Sequence, residues 1–373
     1  MEDPLTSAAV VARGPQAVGL RAVEQELGRP WSSPDALAGA PSARALMGNL
    51  VIVCRREEEK AEVEEELATI VSQYPSRVLL LVADAGSQSA EIDASVMVYR
   101  RAGEASQPAC GECVTIRAGG HAIARLPSAV RALLLGDLPT TLWWATPEAP
   151  PLAGELFAQL AELAGQVIYD SFAWTDPLRQ LVVVANWVGG GGRQPVTSDL
   201  AWRRPKLWHR IIAQSLDPGL APGAFEAISA VAVEHGPHAL TQAWLLAGWL
   251  GFRLGWVPRG GKVLPGPEVS WAFQSAHGAP RVEIRRLATG ATDVQSVRVV
   301  TKVNGRPVTF RFTREGPGQV TVFAEGLADR TLGLAGPVQS RAALVARQLP
   351  DLARDRVFES SLALARTMAE TVL

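Results

Sequence analysis

The sharpest chemical spacing in the sequence is Cys110-Gly111-Glu112-Cys113. Two thiols this close along a chain can share a metal ion, cycle as a redox disulfide, or lie unreactive beside a turn. A closed zinc site takes four ligands, and Cys54 and His121 are the companions available in the same part of the chain. Cys110 and Cys113 therefore read first as inert thiols, then as a candidate redox pair and last as half of a zinc site, and no metal is assigned. Glu234, His235 and His238 form a second cluster. Zinc proteases set two histidines four apart on one helical face, whereas here the spacing is three and Pro237 intervenes. That stretch reads as a strand end leading into a helix.

Phosphate loops and nucleophile motifs fail on their details. Gly189 to Gly192 does not complete G-x-G-x-x-G, because Gln194 and Pro195 stand where the last glycine would fall. Gly260-Gly261-Lys262 lacks the first glycine of a phosphate loop and is followed by Val263 instead of Ser or Thr. No G-x-S-x-G elbow is present. No catalytic residue and no cofactor is expected.

Tryptophan supplies the remaining pattern, with 11 against nine Phe and three Tyr. Trp143 and Trp144 end one apolar run, Trp174 follows Asp170-Ser171, and Trp202 and Trp208 alternate with Arg203, Arg204 and Arg210. Trp and Arg are the residues enriched at interface hot spots, so Trp143, Trp144, Trp174, Trp202, Arg203, Arg204 and Trp208 are the candidate partner-binding residues. On one continuous helix, positions 202, 206 and 209 share a side and 204 and 208 share another. At least one of Trp202 and Trp208 is then expected to be partly exposed.

These residues sit in a chain of 373, longer than one core usually serves, so two domains are expected. A hydrophobic share of 47% and a net charge of -1 mark an ordinary globular chain and give no basic footprint for nucleic acid. The stretch from His235 to Phe252 is too polar in its first half to span a bilayer, so no membrane association is expected. Met1 to Gly14 lacks a basic start followed by an apolar run, and three cysteines do not make a disulfide framework. A cytoplasmic location is expected.

Residues 1–44, rich in Ala, Gly, Pro and Ser, read as an arm or peripheral helix with a weak stripe at Val18, Ala22 and Leu27. Across 45–170 apolar runs alternate with helical periodicity, which predicts an α/β domain whose mainly parallel sheet has helices on its faces. Leu178 to Val188 fits helix or strand. Asp199 predicts a helix cap, with one helix running to Leu216. An apolar helix over Ala239 to Leu254 is followed by four or five strand-like runs between Glu268 and Phe323. Asn304-Gly305 marks a hairpin, and Pro307 pushes that pairing towards a sheet edge. With helices at Ser340 to Leu349 and Asp355 to Val372, residues 171–373 are expected to form an α+β domain with an antiparallel sheet.

Several of these stretches, in order, resemble the OpcA family of glucose-6-phosphate dehydrogenase assembly proteins. They are Arg77 to Asp84, Cys110 to Cys113, Leu138 to Trp144, Asp170-Ser171 with Trp174, Asp199 to Trp202 through Trp208, and Leu245 to Leu250 with Leu254-Gly255-Trp256. The resemblance implies a non-catalytic protein that binds glucose-6-phosphate dehydrogenase and promotes its active oligomer as an allosteric activator. It transfers no catalytic residues, and it lends interest to redox control through the cysteine pair. The competing reading is a sugar-phosphate- or nucleotide-binding enzyme or sensor that uses the carboxyl ends of the parallel strands.

Overall fold

The structure is a computed structural model describing residues 10–32, 46–87, 89, 91–101, 109–191, 194–266, 268–327 and 331–373. β2 (Gly48–Cys54), buried throughout and apolar from Leu50 on, feeds α2 (Glu57–Gln73), and β3 (Ser76–Asp84) returns parallel beside it. β4 (Ile92–Arg101) and β5 (Ala109–Gly119) pair antiparallel with each other, and β5 lies parallel to β3. Through α3 (Leu126–Leu133) the chain crosses to the other side of β2. There β6 (Thr140–Trp144), α4 (Glu155–Leu163), β7 (Gln166–Tyr169), α5 (Pro177–Val188) and β8 (Val196–Asp199) complete the parallel set. The parallel order β5-β3-β2-β6-β7-β8 is that of a doubly wound dinucleotide fold, with its switch point between β2 and β6.

The sheet extends beyond the expected domain limits at both ends. Past residue 170, α5 resolves the helix-or-strand ambiguity and β8 pairs with β7. Before residue 45, β1 (Val10–Val18) pairs antiparallel with β4, and α1 (Val23–Ser32) buries Val23 and, of the weak stripe, Leu27, while Val18 and Ala22 are half-buried. Residues 1–9 and 33–44 of the expected arm lie outside the described residues.

Side chains alternate across a strand, so each face of this sheet makes its own core. Leu50, Ile52, Val78, Leu80, Trp143 and Ile168 pack under α2 and, from the far end of the chain, α9 (Arg341–Gln348). Arg341 fixes α9 to α2 by reaching Glu66 at 3.0 Å. Val51, Val53, Leu79, Leu81, Leu142 and Val167 face the other way, into a core that continues without a break to the second sheet.

That second sheet comprises β9 (Ala230–His235), β10 (Val257–Leu264), β11 (Glu268–Gln274), β12 (Arg281–Arg286), β13 (Val294–Val303), β14 (Arg306–Gly316), β15 (Gln319–Glu325) and β16 (Thr331–Ala335). Its order is β10-β11-β12-β9-β13-β14-β15-β16, and every pairing is antiparallel except β12 with β9. Alternating burial along β9 and β15 gives it one core face and one open face. α8 (Leu240–Arg253) lies in the continuous core between the sheets, against α5 and α10 (Arg356–Glu370). Asn304 and Gly305, both at positive φ (50° and 79°), make the predicted tight hairpin between β13 and β14. β14 is an inner strand, contrary to the edge expectation. Pro307 is tolerated because β15 begins pairing only at Thr309, so the missing N–H costs no ladder bond on that side.

Candidate functional site

A dinucleotide bound to this strand order sets its pyrophosphate on a glycine-rich turn at the N-terminus of the helix after the first strand. In this chain that turn is Cys54-Arg55-Arg56, and α2 opens with Glu57, Glu58 and Glu59. Glu59 is buried. Its Oε2 accepts the backbone N–H of Arg55 at 2.7 Å, and its Oε1 accepts Arg56 Nε at 3.0 Å. The chain's own carboxylate thus takes up donors of the turn that leads into the helix. At the mouth of the crevice Arg117 Nε donates to Glu57 Oε1 at 2.7 Å, and Arg55 pairs with Glu148 across to the β6 side. Asp84 ends β3, where such folds hold ribose, and its Oδ1 accepts the local Gly86 N–H.

A second constellation gathers at the carboxyl ends of β7 and β8. Asp199, which closes β8, accepts Ser171 N–H at 3.1 Å and Ser171 Oγ at 2.6 Å, and caps Ala201 N–H at 2.9 Å. Burial pushes its carboxyl up to about 7 in spite of these donors. Asp170 takes both terminal nitrogens of Arg204 at 2.6 Å, and Trp174 stacks on Tyr169 with ring centres 5.7 Å apart. Asp170-Ser171 with Trp174 and Asp199 to Arg204, separate in sequence, form one knot that locks the exits of two adjacent strands.

The expected single helix breaks here. α6 (Leu200–Arg203) stops before Arg204-Pro205, and α7 (Lys206–Ser215) starts a new axis, because Pro205 supplies no N–H for continuation. Facing rules for one helix therefore do not hold across residues 202–209, and the expected partial exposure is not found. Trp202 is 6% exposed and Trp208 3%, both in the core. Trp202 Nε1 donates to Asp355 Oδ2 at 3.1 Å, and His209 lies between the rings of Trp202 and Trp249. Trp143, Trp144 and Trp174 are buried as well, Trp144 edge-on to Phe157 at 5.5 Å. Of the candidate partner-binding residues, Arg203, Arg204 and the otherwise buried Trp208 line a cleft. Arg203 pairs with Asp351 at 3.1 Å. Sequence reading missed the cleft's other cations, Lys206, Arg210, Arg314 and Arg347, since they converge from three segments.

The residues inside the Cys110 to Cys113 spacing have structural tasks. A Cβ on Gly111 would come within 2.9 Å of Val71, so glycine lets α2 approach β5. Glu112, fully buried, accepts Arg77 Nη2 at 2.9 Å. Cys113 is buried and its thiol is pushed up to about 12 by burial, as is that of Cys54. Both cysteines belong to β5, though the side chain of Cys110 is outside the described part. Extended residues three apart have Cα atoms roughly 10 Å apart, and a disulfide spans about 4.4–6.8 Å. Bridging the pair requires β5 to leave its register. Among the described residues no group of three His, Cys, Asp or Glu side chains could hold a metal. His235 ends β9 with Nδ1 2.7 Å from the Gly236 carbonyl, as a strand-end histidine. Among the described residues no helix is long and apolar enough to cross a membrane.

Strand order and turn chemistry together define a class: a two-sheet chain of dinucleotide-fold topology whose phosphate turn is built around a carboxylate. The particular family follows from comparison with known proteins. Residues 68–186 match the glucose-6-phosphate dehydrogenase subunit N-terminal domain and residues 195–362 the corresponding C-terminal domain, and the chain belongs to the OpcA family of glucose-6-phosphate dehydrogenase assembly proteins. It is 32% identical over 193 residues to the OxPP cycle protein OpcA of Nostoc punctiforme, covering 51% of this chain and 40% of that protein. With the protein of the same name from Synechococcus elongatus it shares 26% identity over 322 residues, 79% of this chain and 68% of that one. The match thus spans less than half of the first relative's length. The solved transcriptional regulator Gal80p from Kluyveromyces lactis shares the fold at TM-score 0.50 and 6% identity, over 88% of this chain and 92% of that one.

Proposed function

We propose that the chain is a non-catalytic subunit that binds glucose-6-phosphate dehydrogenase, promotes its active assembly and activates it allosterically. The observation that carries this reading is the first β–α turn. A dinucleotide fold that places Glu59 on the helix N-terminus, with Glu57 and Glu58 beside it, sets like charge where a pyrophosphate would bind. Such a chain keeps the architecture of a nucleotide-dependent enzyme without the electrostatics to hold the nucleotide there. Membership of the assembly family supports glucose-6-phosphate dehydrogenase as the partner.

Mixing the purified chain with glucose-6-phosphate dehydrogenase of the same organism tests it, with NADP reduction followed at subsaturating glucose 6-phosphate and co-elution by size-exclusion chromatography. The expected outcome is a shared peak and a raised rate, with no reduction by the chain alone. Unchanged kinetic constants together with separate elution would reject the proposal.

A further inference from the structure

A cleft of about 770 Å³ opens where α7, the turn between β14 and β15, and the link from β16 to α9 meet. Six cations line it, Arg203, Arg204, Lys206, Arg210, Arg314 and Arg347, against one carboxylate, Asp293. Three of the six are already engaged: Arg203 with Asp351, Arg204 with Asp170, and Arg314 with Asp293 at 3.7 Å. Lys206, Arg210 and Arg347 have no acidic partner within salt-bridge distance among the described residues. Lys206 and Arg210, four apart on α7, share a helix face. Burial, and then the charges of Arg203 and Arg347, hold the Lys206 ammonium below its ordinary range. Like charges gathered in a concavity in excess of their counter-ions are relieved by an anion.

Leu207, Val320, Val338 and Leu344 give the same cleft apolar wall. Small-molecule sites run to about 300–1,000 Å³ and combine apolar walls with a few convergent polar groups. Guanidinium forks and an ammonium match phosphate oxygens. We propose that this cleft binds a small organic phosphate, with Lys206, Arg210 and Arg347 on the phosphate and the Leu207 and Val338 side of the wall against the carbon skeleton. The site is separate from the carboxylate-filled turn of α2 and independent of any bound dehydrogenase, so it is tested on the isolated chain.

Isothermal titration and thermal melts with pyrophosphate and glucose 6-phosphate, at about 0.15 M salt, provide the test, with glucose as the uncharged control. Saturable binding of both phosphates and a raised melting temperature are expected, with no response to glucose. Lys206→Ala and Arg347→Ala, both at exposed positions, should each weaken binding by about tenfold or more. Arg298→Ala, on the open face of the second sheet, should leave it unchanged. No saturable binding of either phosphate at millimolar concentration overturns the proposal, as does affinity retained in the Lys206→Ala/Arg347→Ala double variant. Preference for an acidic peptide over both phosphates would also overturn it and assign the cleft to a protein segment.

Discussion

Trp208 shows how a residue's role depends on which way its helix turns. At 3% exposure it is a core side chain, and truncating a buried tryptophan costs about 3–5 kcal/mol. Trp208→Ala should therefore lower the melting temperature strongly, and an unchanged melt accompanied by lost partner binding would return it to an interface. Two neighbours titrate in opposite senses. Asp199 is raised by burial from 3.8 to about 7, so between these values it holds a proton in the folded chain that the unfolded chain has lost. Its contribution to stability falls as pH rises through that window. His209 is lowered by burial from 6.5 to about 3, so its contribution rises with pH over its own window. Urea unfolding across the overlap should show opposed slopes: Asp199→Asn makes stability climb more steeply with pH, and His209→Gln makes it fall. Parallel shifts in the two variants would contradict the assignment whose sign they break.

Among the elements, α1 is tied to the first sheet by charge as well as by Val23 and Leu27. Arg77, 1% exposed at the start of β3, donates to Glu24 of α1 at 2.6 Å, to Glu112 of β5 at 2.9 Å and to the Leu133 carbonyl at 3.0 Å. Removing one member of a buried ion pair costs about 3–5 kcal/mol, because the other charge loses its compensation, whereas replacing both by apolar groups is often tolerated. Arg77→Met should destabilise by that order in denaturant titration, and Arg77→Met/Glu112→Leu should recover much of the loss. If the double variant is worse than the single, the network contributes stability beyond charge compensation. This role also explains why Glu112 lies between the two cysteines without reference to thiol chemistry.

At the scale of the molecule, the two sheets are not independent bodies. α9 covers the same face of the first sheet as α2 and packs beside it, and α10 packs on α8 and α5 in the continuous core. The last thirty or so residues thus complete cores that begin near residue 50. Urea unfolding should follow a single transition, and a chain ending at Gln339 should expose Leu50, Ile52 and Trp143 and aggregate. Two resolved transitions, or a soluble truncated chain with native secondary structure by circular dichroism, would show separable domains.

Local periodicity was enough to place most elements, because burial on one face or two leaves its mark residue by residue. The continuous apolar runs at Leu50 to Val53 and Val78 to Val82 read as strands buried on both faces, and Asp199 announced a cap that the structure confirms. Gly260-Gly261-Lys262 lies within β10. Other features depended on contacts between distant segments. The sequence alone does not say that Cys54 to Glu59 is the turn facing the switch point, since that follows from strand order. Pairing of β8 with β7, and return of α9 to the first sheet, carried that sheet and its core past residue 170. Pro205 was visible, but whether the chain broke or merely kinked there depended on what Trp202 and Trp208 could pack against. The cleft cations come from α6 and its junction with α7, from α7, from β14 and from α9, so only the tertiary structure brings all their charges together.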